Sequence, residues 1–214
     1  MTKILDKKSK IIILNKFKYS DNTSILEALC DDGSLRRFLV KNKNSSNFYA
    51  LGNILEIVYR EGRNFSYITE TQIIRSILTI QTYSEKYLLF VFDVIKITYM
   101  LSKQYKDKDV FNLIYKLLRE SQEEDKLIGL YTNFLRKLLD LLNEDRSIRC
   151  HISGEKIRKN STIFFNSKRN IIIKDSKHIS PEFEKVIVDQ EFIKNYYKNI
   201  LCQVIGISKE SLKF

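Results

Sequence analysis

The chain has 214 residues, of which 43% are hydrophobic and 29% charged, a balance typical of globular proteins rather than of disordered or membrane-spanning chains. Its formal net charge of +11 favours a polyanionic partner, with nucleic acid first and an anionic membrane surface second. The alternative is that a composition rich in Lys, Asn and Ile reflects an AT-biased genome. The positive charge would then only raise solubility.

The first part of the chain predicts short strands. Ile11–Phe17 and Ser24–Leu29 are rich in β-branched and apolar residues and are separated by the turn formers Tyr19–Asn22. The sequence Asp31-Asp32-Gly33-Ser34 predicts a tight hairpin turn, because glycine accepts the positive φ that such turns often need. Leu35–Val40 then predicts a third strand.

Two more strands are predicted at Ile54–Arg60 and Phe65–Thr69, joined by the turn residues Glu61–Asn64. Before them, the segment Asn42–Asn47 is polar and lacks the apolar periodicity of a helix or a strand, which indicates an exposed loop. Five short strands within about seventy residues favour a small closed barrel, which leaves no free sheet edges. We therefore expect a five-stranded barrel domain over residues 1–72, of the kind that often binds nucleic acid.

The pattern then changes to one typical of helices. Tyr87–Leu101 is apolar nearly all round, which predicts a central buried helix, and it is too short for a membrane span. The apolar spacing over residues 110–118 predicts a second helix, with Asp107 or Asp109 as its N-cap. A long apolar stripe over Leu127–Leu142 predicts a third helix.

Residues 146–180 predict an irregular basic lobe with short strands at Thr162–Phe165 and Asn170–Lys174. Ser180-Pro181 is typical of a helix start, because proline fits the first helical position, and it predicts a C-terminal helix over residues 181–204. We therefore expect an α+β protein in which the barrel domain is followed by a mainly α-helical domain over residues 73–214.

The sequence carries no motif of nucleotide or hydrolytic chemistry. Its six glycines are scattered singly, so that neither a Walker loop nor a Rossmann turn is present, and H-E-x-x-H and a nucleophile elbow are also missing. The acidic pairs Asp31-Asp32 and Glu123-Glu124 are typical of a turn and a helix start rather than of a nuclease site. We expect the protein not to be an enzyme and to need no cofactor.

The three cysteines are widely spaced and contain no C-x-x-C pair, which predicts a reducing, cytoplasmic location. Cys150-His151 is the one tempting metal pair, and His178 brings the set to three, whereas a structural zinc site has four ligands. We expect no metal site, with Cys150 as a small buried apolar residue after the long helix.

Six cationic side chains form the predicted nucleic-acid-binding set: Lys16, Lys18, Arg36, Arg37, Lys41 and Lys43. Neighbouring residues of a strand point to opposite faces, so only one of Arg36 and Arg37 lines a given groove. We expect Lys41 and Lys43 to contact phosphate in a salt-sensitive, sequence-independent manner. Three aromatic residues flank the loops: Tyr19, Phe48 and Tyr49. We expect them to plug the ends of the barrel, with base stacking as the alternative.

Several segments, taken in chain order, together resemble the RecO family of DNA repair proteins over nearly the whole sequence. The resemblance rests on the following segments: Tyr19–Leu26, Asp31–Gly33, Leu35–Lys43, Leu127–Leu142, Cys150–Glu155, Asn170–Lys174, the helix through Tyr196-Tyr197, and Ser208–Leu212. The first three segments resemble the family's segment before its second strand, its hairpin and its basic loop. The next two resemble its long amphipathic helix and the cysteine turn after it. The others resemble its last strand, its last helix and the C-terminal end of its chain.

The chain also departs from the family pattern at two places. The family's Lys-Gly-Ala-Arg loop is here Lys41-Asn42-Lys43-Asn44, so the glycine and the arginine are absent and Lys43 supplies a charge. Some relatives carry four zinc cysteines, of which Cys150 alone remains, and this argues against bound metal.

The resemblance implies an N-terminal OB fold, a helical middle and a vestigial zinc-like lobe. It implies binding of single- and double-stranded DNA, annealing of complementary strands, and action with RecR to load RecA onto DNA coated by single-strand-binding protein, in the cytoplasm at the nucleoid.

Two alternatives stay open. One is an interaction adaptor that binds the acidic tail of single-strand-binding protein in an apolar pocket rimmed by Lys or Arg. Two groups of residues are candidates for that pocket: Tyr115, Lys116 and Arg119, or Arg136 and Lys137. The other alternative is an RNA-binding OB protein.

Overall fold

The computed structural model describes residues 6–41, 48–77, 84–120, 123–144, 147–174 and 180–214. The chain forms two compact units, one from residues 1–124 with 212–214 and the other from residues 125–211. The first unit contains a five-stranded sheet and the second a three-stranded sheet, and each also contains α-helices. The chain is therefore α+β, with an N-terminal sheet followed by a helical part.

The first unit is built on five strands, and the predicted strands are confirmed with longer bounds. They are β1 (Lys7–Ser20), β2 (Thr23–Cys30), β3 (Leu35–Lys41), β4 (Ile54–Glu61) and β5 (Ser66–Arg75). They pair in the order β1-β2-β3-β5-β4, and β4 also pairs with β1, so that the sheet closes on itself. The β3–β5 pair is parallel and spans two residue pairs, whereas the other pairs are antiparallel.

The interior of this closed sheet is apolar and fully packed. Ten buried side chains form its core: Ile11, Ile13, Leu26, Ala28, Cys30, Phe38, Val40, Leu55, Ile57 and Tyr59. Because side chains alternate along a strand, the residues between these core positions on β2 and β3 point outward.

An irregularity in β1 changes which of its residues point outward. The register with β2 shifts between Ile13 and Asn15, so that Lys16 pairs with Leu26 and Phe17 pairs with Ile25. Residues opposite each other in a strand pair share a face. Phe17 is therefore on the outer face, although its sequence distance from Ile11 and Ile13 would place it inside.

Two helices complete the first unit, and both were predicted. In α1 (Glu85–Ser102) the N-cap Ser84 accepts a hydrogen bond from the backbone of Tyr87, and in α2 (Lys108–Glu120) the Asp107 carboxylate accepts one from Asp109 N–H at 2.7 Å. α1 packs against β1 and α2, so these helices belong to the same unit as the strands, and the predicted boundary after residue 72 is not where the units divide.

The last residues of the chain also belong to the first unit. Asp93 of α1 is buried, and its carboxylate accepts the backbone N–H groups of Lys213 and Phe214, both at 2.8 Å. The Phe214 ring lies edge-on to Phe90 with centroids 5.4 Å apart. In the residues that the structure describes, no helix has both the length and the apolar character needed to cross a membrane.

The second unit combines two helices with a small sheet. It contains α3 (Leu127–Leu141), β6 (Thr162–Asn166), β7 (Ile171–Ile173), β8 (Glu184–Ile187) and α4 (Gln190–Ile205), and the strands pair antiparallel in the order β7-β6-β8. Apolar residues of α4, such as Tyr196, pack with Ile163 and Ile172 of the sheet in one buried cluster.

The predicted start of the C-terminal helix at Ser180-Pro181 is wrong. Pro181 lies in a turn closed by a hydrogen bond from Phe183 N–H to the Ser180 carbonyl at 3.1 Å, and β8 follows it. The helix begins at Gln190, where the Asp189 side chain accepts from Phe192 N–H. Proline favours the second position of a turn for the same reason that it favours a helix start, because both need φ near −65°.

Replacing Gly33 by alanine is predicted to destabilise the first unit. Gly33 has φ of +80°, and a Cβ atom there would lie 2.3 Å from the carbonyl carbon of Asp107. Backbone strain and this clash together should lower the free energy of unfolding by at least about 2 kcal/mol. Urea unfolding followed by circular dichroism measures it.

Two further glycines provide matched controls for this substitution. Gly206 has φ of +69° with no atom within 4 Å of an added Cβ, so Gly206→Ala reports strain alone, about 1 kcal/mol. Gly129 lies inside α3 in open space, so Gly129→Ala should be neutral or stabilising by about 1 kcal/mol. If Gly33→Ala lowers the free energy of unfolding no more than Gly206→Ala does, the close approach of Gly33 to Asp107 contributes nothing to the loss.

Candidate nucleic-acid interface

The outer face of the closed sheet carries a row of apolar side chains that crosses four strands. Phe17 of β1 lies opposite Ile25 of β2, Ile25 lies opposite Leu39 of β3, and Leu39 lies opposite Tyr67 of β5. Partners in register share a face, so these four side chains form one continuous row. Ile25 is buried, whereas Phe17 and Tyr67 at the two ends are 39% and 49% exposed.

Two more aromatic residues extend the row. Tyr19, near the end of β1, is 61% exposed, and its ring lies edge-on to Phe65 with centroids 6.0 Å apart. Phe65 precedes β5 in the turn after β4, so this ring pair joins the β1–β2 hairpin to the β4–β5 hairpin. We call the four residues Phe17, Tyr19, Phe65 and Tyr67 the aromatic band.

Cationic side chains surround the aromatic band. Arg37 and Lys41 alternate with Leu39 on the outer face of β3, whereas Lys18 pairs with Ser24 and so lies on the same face of β1 as Lys16, opposite to Phe17. Arg63 is exposed in the turn that contains Phe65. Lys18 pairs with Asp21 at 2.7 Å, but both side chains are largely exposed, and such surface pairs are weak. In the described ranges, Lys41 is exposed and forms no ion pair.

Arg36 has a structural position instead. It points to the opposite side from Arg37, as predicted, and its guanidinium binds Asp32 at 2.7 Å, Ser34 at 2.8 Å and the Tyr59 hydroxyl. Glu61 lies 3.3 Å away as a second carboxylate. Because two carboxylates already balance its charge at one end of the closed sheet, the geometry does not present Arg36 to a ligand beside the aromatic band.

The Arg36 cluster also determines the acidity of Asp32. Burial raises the pKa of Asp32, but hydrogen bonds from Ser34 and Arg36, together with the charge of Arg36, outweigh it and lower the pKa to about 2. Cys30 lies near the same cluster, and burial raises the pKa of its thiol to about 12. Neither group is placed for chemistry on a ligand.

Arg37 is held by a buried carboxylate. Glu27 of β2 is 4% exposed, and it accepts hydrogen bonds from Arg37 Nε at 2.9 Å, from Asn15 Nδ2 at 3.1 Å and from the Tyr99 hydroxyl of α1. Burial raises the pKa of Glu27, but these three donors outweigh it and lower the pKa below its usual value. The carboxylate is therefore ionised, and it fixes the Arg37 guanidinium on the outer face.

The remaining predicted residues are placed as follows. Lys16 pairs with Leu26, so it is on the other face of β1 from Phe17 and is half-buried. Lys43 lies outside the described residues. Tyr49 packs against the interior core and its hydroxyl lies 3.1 Å from Thr71 Oγ1, as expected for a core aromatic. Phe48 is 41% exposed.

The expectation that Tyr19 plugs the end of the sheet is wrong, because its ring is exposed and lies against Phe65. Phe17, Phe65 and Tyr67 are not among the site residues predicted from the sequence. The spacing of Phe65 and Tyr67, two residues apart on one strand, was a usable signal, since it puts two large aromatics on one face. Phe17 had no such signal, because its face depends on the β1 irregularity.

The Tyr115 ring of the candidate adaptor pocket contacts three side chains of the first unit. The Tyr115 ring stacks on Phe111 with centroids 5.6 Å apart. Lys10 and Arg119 place their cationic groups 5.9 and 5.5 Å from the same ring. The ring is therefore occupied by contacts within the first unit.

Cys150 lies in a compact turn of the second unit. Its N–H donates to the Glu155 carbonyl and its carbonyl accepts from Gly154 N–H, each at 2.9 Å. Burial raises the pKa of the Cys150 thiol, but hydrogen bonds from Ser153, Lys174 and Ile152 outweigh it and lower the pKa to about 7. Across the described residues, no three or more His, Cys, Asp or Glu side chains are grouped so as to hold a metal ion.

Comparison with known protein families and with curated proteins gave no match to this sequence.

Arg36→Met is predicted to destabilise the fold more than Lys41→Met. The first substitution removes the guanidinium that donates to Asp32 and to the Tyr59 hydroxyl and should lower the free energy of unfolding by about 1–2 kcal/mol. The second changes an exposed residue and should stay within about 0.5 kcal/mol. Urea unfolding of both variants tests this, and equal losses would contradict the structural role of Arg36.

Asp32→Asn is predicted to flatten the acid dependence of stability. The folded-state pKa of about 2 lies below the ordinary 3.8, so the carboxylate stabilises the fold above pH 3.8 and loses that effect as the pH falls through 2. The free energy of unfolding, measured by urea titration at several pH values in this window, should therefore fall less steeply in the variant. Parallel curves for the variant and the unaltered chain would be the contrary result.

Proposed function

We propose that this protein is a non-enzymatic mediator of DNA repair and recombination of the RecO type, which binds single- and double-stranded DNA and anneals complementary strands. The observation that carries the proposal is the aromatic band with Arg37, Lys41 and Arg63 around it. Exposed aromatic faces stack on unpaired bases of any sequence, and nearby cations neutralise phosphate.

The topology supports assigning the first unit to the OB fold. Five strands closed in the order β1-β2-β3-β5-β4, with a short parallel β3–β5 contact, form a small barrel of the kind that presents a nucleic-acid-binding face on its strands and loops. The cysteine turn at Cys150, beside the three-stranded sheet of the second unit, supports the vestigial zinc-like lobe of the same family proposal.

Annealing by such a protein needs no bond chemistry. Two complementary strands repel each other through their phosphates, and a protein that binds both lowers this repulsion by replacing counterions with fixed lysine and arginine charges. Stacking on the aromatic band keeps the bases of a bound single strand unpaired and extended. The protein therefore acts on DNA with no cofactor and no metal ion.

The partners in this proposal come from the resemblance to the RecO family. They are RecR, the acidic tail of single-strand-binding protein and, indirectly, RecA, in the cytoplasm at the nucleoid. A net charge of +11 is consistent with an acidic tail as well as with DNA.

The first test is fluorescence anisotropy of a labelled single-stranded oligonucleotide across a salt series. We expect binding that weakens steeply with salt, and we expect Lys41→Glu with Lys43→Glu to weaken it and to flatten the salt dependence.

Tyr67→Ala should cost about 1–3 kcal/mol of binding free energy through lost stacking, measured in the same anisotropy titration. Phe92→Ala is the matched control, because Phe92 is 47% exposed on α1 and is not part of the aromatic band.

Further arms of the experiment separate this proposal from the alternatives. Duplex DNA and RNA of the same sequence compare substrate classes, and mixing complementary oligonucleotides measures annealing. Tighter binding of RNA than of DNA would favour the RNA-binding alternative. Absence of binding at low salt, together with absence of annealing, would overturn the proposal in favour of an adaptor, which a peptide of the single-strand-binding protein tail would then test.

A further inference from the structure

We propose that the nucleic-acid interface does not end on the closed sheet but continues onto the C-terminal end of α1, where Lys103 binds the phosphate backbone of the same single strand. This inference rests on the proposed function and extends it to residues that neither the motifs nor the resemblance indicated.

A direct chain of side-chain contacts leads from β3 to α1. Arg37 donates to Glu27, and the Tyr99 hydroxyl donates to the other oxygen of the same carboxylate. The ammonium group of Lys103 lies 3.9 Å from the centroid of the Tyr99 ring. Arg37 and Lys103 are therefore joined through only two intervening side chains, both of which are fixed by hydrogen bonding.

The cations of this chain of contacts face solvent, whereas its carboxylate does not. Glu27 carries the one negative charge in this chain of contacts, and its side chain is 5% exposed, whereas that of Arg37 is 60% exposed. Lys103 is exposed at the C-cap of α1. A ligand approaching from solvent therefore meets two cations, while the carboxylate that orients one of them stays beneath the surface.

The proposed interface runs along β3 towards the C-terminal end of α1. Lys41, Leu39 and Arg37 follow one another at alternate positions of β3, so the outer face leads from the aromatic band towards Tyr99 and Lys103. The loop after α1 continues it with Tyr105, which is 46% exposed, and Lys106, which is 67% exposed. Lys106 lies 3.8 Å from Asp32, which Arg36 already binds at the shorter distance of 2.7 Å.

The ligand that fits this arrangement is an extended single strand. A strand whose bases stack on the aromatic band places its phosphates beside Lys41 and Arg37, and a longer strand reaches Lys103 and Lys106. Known OB folds bind about 4–16 nucleotides, so a short oligonucleotide occupies the band alone and a long one occupies the extension as well.

The test uses the full chain and labelled oligothymidylates of about 5 and about 15 nucleotides. On the longer one, Lys103→Gln should weaken binding severalfold and reduce the slope of log K against log salt by about 0.7. Lys103→Arg should restore both values. On the shorter one, Lys103→Gln should bind as the unaltered chain does.

Lys116→Gln provides the matched control, because Lys116 is 67% exposed on α2 and pairs with Glu120 there. It should leave the affinity and the salt slope for both oligonucleotides unchanged. Lys106→Gln is a second variant, and it should reduce the salt slope for the longer oligonucleotide even if Lys103→Gln fails to fold.

The outcomes separate the two proposals. Normal binding of the longer oligonucleotide by Lys103→Gln and Lys106→Gln, with weakened binding by Lys41→Gln, would overturn the extension and leave the proposed function standing. A lower stability of Lys103→Gln with unchanged binding would mean that the Lys103–Tyr99 contact serves packing alone. Absence of binding by the unaltered chain would overturn both proposals.

Discussion

The arrangement of the first unit depends on the limited space inside its closed sheet. The interior is filled by apolar side chains from alternate positions of the strands, so large residues at the other positions point outward. The shift between Ile13 and Asn15 then moves Phe17 from the interior to the outer face, where it is in register with Ile25 and Leu39. Packing of the interior and this irregularity together place Phe17 in the aromatic band. Such irregularities often re-aim side chains at functional surfaces.

Glu27 is the second constraint, because burying a carboxylate is costly unless it is ionised and fully hydrogen-bonded. Here three donors from three different elements satisfy it, namely Asn15, Arg37 and Tyr99. The consequence is that β1, β3 and α1 are tied to one point on β2. Rigid placement matters for binding, since a cation that is already oriented loses less side-chain freedom when it contacts phosphate.

Much of the fold could be predicted from the sequence, because the strand and helix patterns of the first unit are strongly periodic and the turn at Gly33 needs positive φ. The error at Pro181 has a physical origin, since turns and helix starts favour the same φ for proline. The site was less predictable. Arg36 and Arg37 look alike in sequence, and only the structure shows that Arg36 pairs with Asp32 and Glu61, whereas Arg37 is held by the buried Glu27 on the outer face. Phe17 could not be placed without knowing the irregularity in β1.

The hydrogen bonds from Lys213 and Phe214 to Asp93 have a consequence for how the protein is made. They join residues 120 and 121 positions apart, so the first unit is not a continuous stretch of chain. During synthesis the strands and α1 leave the ribosome long before their C-terminal partners, and loops of this length are slow to close. The second unit is therefore synthesised in full before the first unit can be completed. Although its strands are synthesised first, the first unit gains the hydrogen bonds of Asp93 to Lys213 and Phe214 only after the second unit has been synthesised.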